Sequence, residues 1–284
     1  MKDPPASIVY SPEPLLRDPK RLFSAMWDDL LASRELAWRL IVRNIRAQYR
    51  QTALGYVWAF LPPLAMTLVW VMLRSQNVIS VWQTEIPYAA YVLIGTVLWQ
   101  VFLEALNSPL KLVTTSKQML SKVNFPREAL IVAGVGEVVF SLFVRLVLLV
   151  AVLGWFRIQV PKTVLLVPVG VTVLIAFGVM VGLFLAPIGV LFQDIQYGVA
   201  TLTTFWFFLT PVVYPPPTQG VAAVFIRWNP VSPILLVTRD WCTTGTTLFL
   251  GPFLVVSALT FVLITVGWLL YRLAMPHVIA RISA

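Results

Sequence analysis

The stretch "VRNIRAQYRQTALGYVWAFLPPLAMTLVWVML", residues 42–73, passes from a cationic segment into an apolar one with almost no spacer. Arg43, Arg46 and Arg50 lie in its first part, and no charged residue follows until Arg74. A helix needs about 20 mostly apolar residues to cross the hydrocarbon core of a bilayer. The stretch therefore predicts a charged segment at a membrane surface that leads directly into a membrane span.

The composition of the whole chain agrees with a lipid environment. The 284 residues are 59% hydrophobic and 12% charged, with a mean hydropathy of +0.84, whereas soluble domains are about 25% charged. Lysines and arginines that flank spans explain the net charge of +9, so no nucleic-acid partner is predicted. With one cysteine and one histidine, the chain offers no disulfide framework and no Cys/His zinc site. We predict neither a metal site nor catalytic residues.

The apolar runs predict an all-α integral membrane protein with six transmembrane helices. The predicted spans are residues 54–73, 88–110, 129–154, 164–192, 197–217 and 248–271. The fifth ends in "TPVVYPPP", residues 210–217, whose prolines exclude an ordinary straight helix. Residues 29–284 form the transmembrane domain in this interpretation, and residues 1–28 form an N-terminal tail.

The distribution of positive charge predicts the orientation. With the N-terminus inside, more lysines and arginines flank the spans on the cytoplasmic side than on the outer side, where Arg239 is among those counted. Cytoplasmic loops of membrane proteins carry this excess. We therefore expect a multi-pass protein of the bacterial inner membrane, with its tail and both termini in the cytoplasm.

An amphipathic helix over residues 29–53 is predicted ahead of the first span. Its apolar face would carry Trp38, Ile41, Val42, Ile45 and Tyr49, and a neighbouring stripe would carry Arg39, Arg43, Arg46 and Arg50. Such a helix lies in the cytoplasmic interface with its arginines at the level of the lipid phosphates. Two interpretations stay open. The helix is either a simple anchor or a docking surface for an anionic lipid-linked substrate, since arginine binds phosphate bidentately.

Four segments resemble one protein family. They are "RNIRAQYRQTALGYVWAFLPPL", "SKVNFPREAL", "FQDIQY" and "NPVSPI", which begin at residues 43, 121, 192 and 229. In this order they are similar to the permease subunits of ABC-2 type exporters, in the branch that exports O-antigen, capsule or teichoic-acid glycans. The resemblance runs from about residue 30 to the end, although "FQDIQY" departs from the more basic loop of many relatives.

The resemblance implies roles for particular residues. Trp38, Arg39, Arg43, Arg46 and Arg50 would belong to a gate helix beside the entry of a lipid-linked polymer. Lys122, Phe125, Pro126, Arg127 and Glu128 would form a cytoplasmic coupling turn, with Phe125 as an apolar plug in an ATPase subunit and the charges on its rim. An ordinary basic loop is the alternative for that turn. "TPVVYPPP" and "NPVSPI" would form re-entrant and short outer helices between spans five and six.

The resemblance also implies an activity and partners. The chain would be the permease of an ATP-driven exporter that moves O-antigen, bound to polyprenyl pyrophosphate, from the cytoplasmic to the periplasmic side. Capsular polysaccharide and teichoic acid are the alternative cargoes. These residues contain no G-x-x-x-x-G-K-[ST] motif, the loop that binds nucleotide phosphates. ATP and magnesium are therefore expected on two separate ATPase subunits, which a homodimer of this chain would contact together with membrane lipids, and this chain needs no cofactor.

Aromatic residues on spans one and five are candidates for the channel wall, because their faces can stack on sugar rings. They are Tyr56, Phe60, Trp70, Phe205, Trp206, Phe208 and Tyr214. Packing within the protein or contact with lipid is the alternative for each of them.

Two charges lie inside the third predicted span. Glu137 and Arg145 are eight residues apart, about 12 Å along a helix, so they cannot pair with each other. The two charges would line the transport path, stabilise the dimer, or pair with polar neighbours on other helices. A secondary transporter could use them as an ion relay, but the internal repeat typical of that class is not apparent. A membrane enzyme is the other alternative, but this sequence lacks the set of acid, base or metal groups that such an enzyme needs.

Overall fold

A computed structural model of the chain describes residues 19–50, 55–79, 84–122, 125–217 and 219–283. Within these ranges all regular structure is helical, which confirms the predicted all-α class. The helices are α1 (Pro19–Ala32), α2 (Arg34–Arg50), α3 (Leu61–Ser75), α4 (Tyr88–Thr115), α5 (Lys117–Lys122), α6 (Glu128–Trp155), α7 (Val167–Leu191), α8 (Asp194–Leu209), α9 (Val221–Trp228), α10 (Val231–Thr243) and α11 (Leu250–Ser283). Two 3-10 turns, Gly55–Ala59 and Lys162–Leu166, precede α3 and α7.

The N-terminal helix differs from the prediction. A single helix beginning near residue 29 was expected, but Pro19–Ala32 is already helical and a turn at Ser33 separates α1 from α2. The Ser33 hydroxyl donates to the Leu30 carbonyl oxygen at 2.7 Å, while the Ser33 N–H donates to the Asp29 carbonyl oxygen at 2.9 Å.

Within the described ranges, four helices are long and apolar enough to cross a membrane. They are α4, α6, α7 with its preceding 3-10 turn, and α11. Helix α3 has 15 residues and α8 has 16, which corresponds to roughly 22–24 Å and is shorter than a hydrocarbon core of about 30 Å. Four of the six predicted spans therefore have a spanning helix, and the crossings by residues 54–73 and 197–217 stay predictions.

Helices α4 and α7 form the centre of the protein and approach each other through glycines. A Cβ atom on Gly178 would lie 2.7 Å from the Ala105 Cβ, and one on Gly182 would lie 2.4 Å from the Leu106 carbonyl oxygen. Small residues four apart allow this close approach in membranes, where packing replaces the hydrophobic driving force. The apolar, charge-free sequence of α7 thus forms a helix that is buried within the protein and does not only face lipid.

The other helices surround this pair. Helices α3 and α6 pack on α4, α10 and α11 pack on α7, and α2 packs on α6. The outer faces of α6 and α11 expose large apolar side chains such as Phe143, Val150 and Val262, as expected for surfaces in contact with lipid. Helix α10 is short, but nearly all of it is buried.

Candidate functional site

Helix α2, the predicted gate helix, has three faces instead of two. Ala37 and Leu40 are buried, and Ile41 lies over Gly136 of α6, where an added Cβ would be 2.3 Å from the Ile41 Cδ1 atom. This face packs on the protein. Trp38, which was placed on the same apolar face as Ile41, is 65% exposed and lines a surface pocket together with the arginines of α2. The helix therefore has one apolar side for the protein and another that is free for lipid or a partner.

The third face of α2 carries the arginine stripe, Arg39, Arg43, Arg46 and Arg50, all of which are exposed. Arg39 forms an ion pair with Glu35 one turn earlier, at 2.7 Å. The Arg43 Nε donates to the neighbouring Asn44 side chain at 3.1 Å. No protein carboxylate among the described residues pairs with Arg43, Arg46 or Arg50. These three guanidinium groups can therefore meet a phosphate-bearing ligand or lipid headgroup.

The two charges inside α6 bind different helices. The Asn44 side-chain amide of α2 donates to Glu137 at 2.6 Å. Arg145 forms an ion pair with Glu104 of α4, and its Nε lies 3.5 Å from the Ala59 carbonyl oxygen of the 3-10 turn before α3. The geometry agrees with the absence of a Glu137–Arg145 pair and with the alternative of polar neighbours on other helices. The two groups hold α2 and the 3-10 turn before α3 against α6.

A polar cavity lies behind α2, between that helix, α4 and α6; we call it the inner cavity. Its polar lining consists of Gln48, Glu104, Asn107, Ser108, Lys111, Glu137 and Ser141. Gln48 and Lys111 are exposed at its mouth, whereas Ser108 is buried. Polar groups inside a membrane protein are costly and mark functional positions. Of these side chains, the sequence indicated Glu137 as a charge inside a predicted span.

The predicted channel aromatics separate into packed and exposed groups. Trp206 packs edge-on against Phe102 and Phe177, with ring centroids 5.4 and 6.5 Å away, so it belongs to the interior of one chain. Phe205 and Phe208 are 65% and 56% exposed. The exposed side of α8 also carries Tyr197, Thr201 and Thr204, which gives an aromatic and hydroxylated surface suited to a sugar chain.

The remaining aromatic candidates are less exposed. Phe60 and Trp70 are half-buried, and Trp70 packs against the core. Tyr214 is also half-buried, and its hydroxyl donates to the Phe208 carbonyl oxygen at 2.7 Å. The Tyr56 side chain lies outside the described residues. The structure therefore brings Phe205 and Phe208 together on one surface, with the Tyr214 hydroxyl bonded to the Phe208 backbone.

Asn229, the first residue of "NPVSPI", organises the chain after α8. Its Oδ1 accepts from the Trp206 indole at 2.9 Å and from the Val231 N–H at 3.1 Å, and its Nδ2 donates to the Thr210 hydroxyl at 2.8 Å. An asparagine that both donates and accepts can satisfy several backbone and side-chain groups at once. The segment thus connects α8 to α10 through one buried side chain.

Arg239 of α10 holds the "TPVVYPPP" segment, although the sequence placed it among the outer flanking charges. It is 2% exposed. Its guanidinium donates to the carbonyl oxygens of Pro211 and Val212, both at 3.3 Å, and lies 3.6 Å from the centroid of the Tyr91 ring. The apolar run "PILLV" before it was the one available sign of burial. A buried arginine with carbonyl and aromatic partners has a structural function here.

Asp240, the next residue, faces an outer pocket together with Glu85. Burial raises the pKa of Asp240 to about 6, the Arg239 guanidinium opposes this rise, and the Glu85 charge adds to it. Burial also raises the pKa of the Cys242 thiol to about 12. At neutral pH this cysteine is protonated and unreactive.

The predicted coupling turn is tied to both ends of the chain. Glu128, expected on its rim, is 4% exposed and binds Arg272 of α11 at 3.0 Å. Arg272 also binds Asp29 of α1 at 2.5 Å. The rim position predicted for Glu128 therefore disagrees with the structure, because the buried carboxylate pairs with the half-buried Arg272.

The rest of the turn is closer to the surface. Phe125, Pro126 and Arg127 are half-buried, and the Phe125 ring packs partly against the core. The Lys122 side chain lies outside the described residues. Phe125 and Arg127 thus stay available in part for a partner at this end of α6.

Comparison with known proteins identifies the family. The family model described as ABC-2 type transporter matches residues 35–240, from the start of α2 to the end of α10. The O-antigen export system permease protein RfbA of Myxococcus xanthus is 31% identical over 211 residues, which cover 72% of this chain and 78% of that protein. Two Klebsiella pneumoniae proteins of the same name are 22% and 20% identical over the same shares. The chain belongs to the ABC-2 type transporter family and is a membrane-spanning transport permease.

Proposed function

We propose that this permease is the membrane subunit of an ATP-driven exporter that carries O-antigen across the bacterial inner membrane. The observation that carries the proposal is its 31% identity, over 78% of the relative, to a protein named as an O-antigen export permease. The cargo would be linked to polyprenyl pyrophosphate and would move from the cytoplasmic to the periplasmic side. Capsular polysaccharide and teichoic acid are the alternative cargoes.

The exposed arginines support an anionic lipid-linked cargo. Arg43, Arg46 and Arg50 lie on one side of α2, away from the face that packs on α6. A pyrophosphate can accept bidentate hydrogen bonds from such groups while its lipid chain stays in the membrane. The apolar side with Trp38 lies next to this stripe and can contact the lipid chain.

The assembly we propose is a homodimer with two ATP-binding-cassette subunits. The described part of one chain has four helices of clear spanning length, and the aromatic surface of α8 is exposed, so a second copy would be needed to enclose a sugar chain. The ATPase would dock at the coupling turn around Phe125, with both termini of the permease on that cytoplasmic side. ATP and magnesium would be bound by the ATPase.

The experiment is reconstitution of the intact complex, with its own ATPase, in proteoliposomes. We expect export of the lipid-linked glycan that requires ATP, and we expect the triple change of Arg43, Arg46 and Arg50 to Gln to lower it at least about tenfold. Arg227→Gln, at an exposed arginine on α9, is the matched control.

The two interpretations of α2 predict different results. If the triple variant inserts normally but binds the cargo poorly, the docking function is supported. If it changes only membrane insertion and topology, α2 is an anchor. Transport without any ATPase would refute the exporter itself.

A further inference from the structure

We propose that the inner cavity binds the sugar ring attached directly to the lipid pyrophosphate. This inference rests on the proposed function and adds a binding site for the first sugar. The cavity is separate from the arginine stripe, because its walls are the packed side of α2 together with α4 and α6.

The lining of the inner cavity matches the chemistry of a neutral sugar. Asn107 and Gln48 offer amides, Ser141 a hydroxyl, and Glu104 and Glu137 carboxylates. Amides and hydroxyls both donate and accept hydrogen bonds, and carboxylates accept them. The hydroxyls of a sugar ring likewise donate and accept, so a ring can pair with all three kinds of group.

The charge around the cavity favours a neutral ring over a second phosphate. The charged side chains of the lining are Glu104, Glu137 and Lys111, and Glu104 also forms an ion pair with Arg145 beside the cavity. With two acidic side chains and one basic side chain in its lining, the site has no net positive charge to attract an anion. A phosphate inside would meet the carboxylates, whereas the exposed arginines on the other side of α2 present no such repulsion.

Ser108 is a buried hydroxyl in this cavity that lacks a partner. It is 8% exposed, and its Oγ has no hydrogen-bond partner within the part of the chain that the structure describes. The Oγ rests against Gly134, where an added Cβ would be only 1.9 Å away. A buried unpaired hydroxyl is unfavourable, and rotation of the Ser108 side chain toward a bound ring would remove that cost.

The dimensions of the cavity fit one ring. Its volume is about 220 Å³, below the roughly 300 Å³ at which pockets for larger organic ligands begin. The exposed side chains of Gln48 and Lys111 mark an opening, so a ring can enter while the rest of the glycan stays outside.

The position of the mouth connects the cavity to the arginine stripe. Gln48 of the cavity lining and Arg50 of the arginine stripe are two residues apart on α2, so the mouth lies within one helical turn of the stripe. A ligand with its pyrophosphate at the Arg50 guanidinium can therefore present its first sugar to the mouth beside Gln48.

The test compares two probes on the intact permease–ATPase complex in lipid nanodiscs. The probes are polyprenyl pyrophosphate alone and polyprenyl pyrophosphate that carries one hexose. We expect the hexose to increase affinity about tenfold, which corresponds to about 1.4 kcal/mol. In the double variant Asn107→Leu, Ser141→Leu this gain should disappear while the affinity for the sugar-free probe is retained. Thr96→Val, which removes a hydroxyl of α4 bonded to its own helix, should keep the gain.

The outcomes separate the inference from the proposed function. Equal affinity of the wild-type complex for both probes would overturn the sugar site and leave the exporter proposal standing. Persistence of the tenfold gain in the double variant would also overturn it. If the wild-type complex binds neither probe, the lipid-linked cargo itself is wrong, and the inference falls with it. Retained binding of the sugar-free probe shows that the variant is folded.

Discussion

At the scale of single residues, buried charges determine which segments are held together. Arg145 connects α6 to Glu104 and to the turn before α3, and Arg272 connects α11 to Asp29 and Glu128. Arg239 connects α10 to the proline-rich segment and to Tyr91. Each of these arginines binds groups from two other parts of the chain, and so each holds together segments that are far apart in the sequence.

Replacing Arg239 by Met should destabilise the protein by about 2–4 kcal/mol. The methionine relieves the burial of a charge, but it leaves the Pro211 and Val212 carbonyls unpaired and loses the contact with the Tyr91 ring. Arg239→Lys should restore part of the loss, because lysine keeps the charge without the planar fork. The measurement is thermal melting in detergent, with Arg227→Gln as the control. A melting temperature equal to wild type would contradict the role of Arg239.

Asp240 should make stability depend on pH in a particular direction. Its pKa is about 6 in the folded protein against about 3.9 when unfolded, so the folded state holds the proton more tightly between these values. Stability should then fall as the pH rises from about 4 to about 6, by about 2 kcal/mol. Arg239 and Glu85 are the charges that face it.

The measurement for Asp240 is the difference in melting temperature between wild type and Asp240→Asn across pH 4–8. We expect the variant to be the more stable of the two above pH 6 and to lose this advantage near pH 4. Parallel profiles over the whole range would show that Asp240 does not titrate as described.

Some residue positions could be predicted from the sequence and others could not, for physical reasons. The arginine stripe could be predicted, because helical periodicity places Arg39, Arg43, Arg46 and Arg50 together. The burial of Arg239 could not, since charge alone does not distinguish a flanking arginine from one that binds carbonyls of a distant segment. The hydrogen-bond partner of Glu137 could likewise not be predicted, because Asn44 is 93 positions away in the sequence.

At the scale of elements, apolar runs predict spanning helices but not how closely the helices pack. The runs at residues 88–110 and 164–192 correspond to α4 and α7, yet the close contact between these helices depends on Gly178 and Gly182. The break at Ser33 and the separate 3-10 turn before α3 depend on local hydrogen bonds that hydropathy does not report.

Two glycine substitutions test the packing of α4 on α7. Gly182→Ala should destabilise the protein by about 2 kcal/mol or more, because the new methyl group would lie 2.4 Å from the Leu106 carbonyl oxygen. Gly198→Ala on α8 meets no atom within 4 Å and should stabilise by up to about 1 kcal/mol, since alanine is the better helix former. Thermal melting of both variants checks the prediction. Equal shifts in the same direction would contradict the proposed packing.

At the scale of the whole molecule, we predict that ATP, and not an ion gradient, supplies the energy for export. In inside-out membrane vesicles supplied with ATP, export should continue when a protonophore collapses the gradient. Glu137→Gln should reduce export without abolishing it, because glutamine can still accept from Asn44. Transport in vesicles that lack the ATPase, lost in Glu137→Gln, would instead identify a proton-coupled transporter.

The proposed exporter depends on where the ATPase subunit binds this chain. Four helices of spanning length among the described residues, the amphipathic helix α2 and the family match follow from the structure and the comparisons. The sequence predicted that helix, the family and these four spans, and its two further crossings stay predictions. The dimer and the docked ATPase involve surfaces of other molecules, whose shape and charge one chain cannot specify. The coupling turn is the position where this chain makes a definite prediction about another molecule.

The most direct measurement is photo-cross-linking from the coupling turn in the intact complex. A benzophenone amino acid in place of Phe125 should form an adduct with the ATPase subunit. The same group in place of Trp155, 84% exposed at the opposite end of α6, should form none. An adduct from position 155 and none from position 125 would put the turn on the outer side of the membrane and contradict the account.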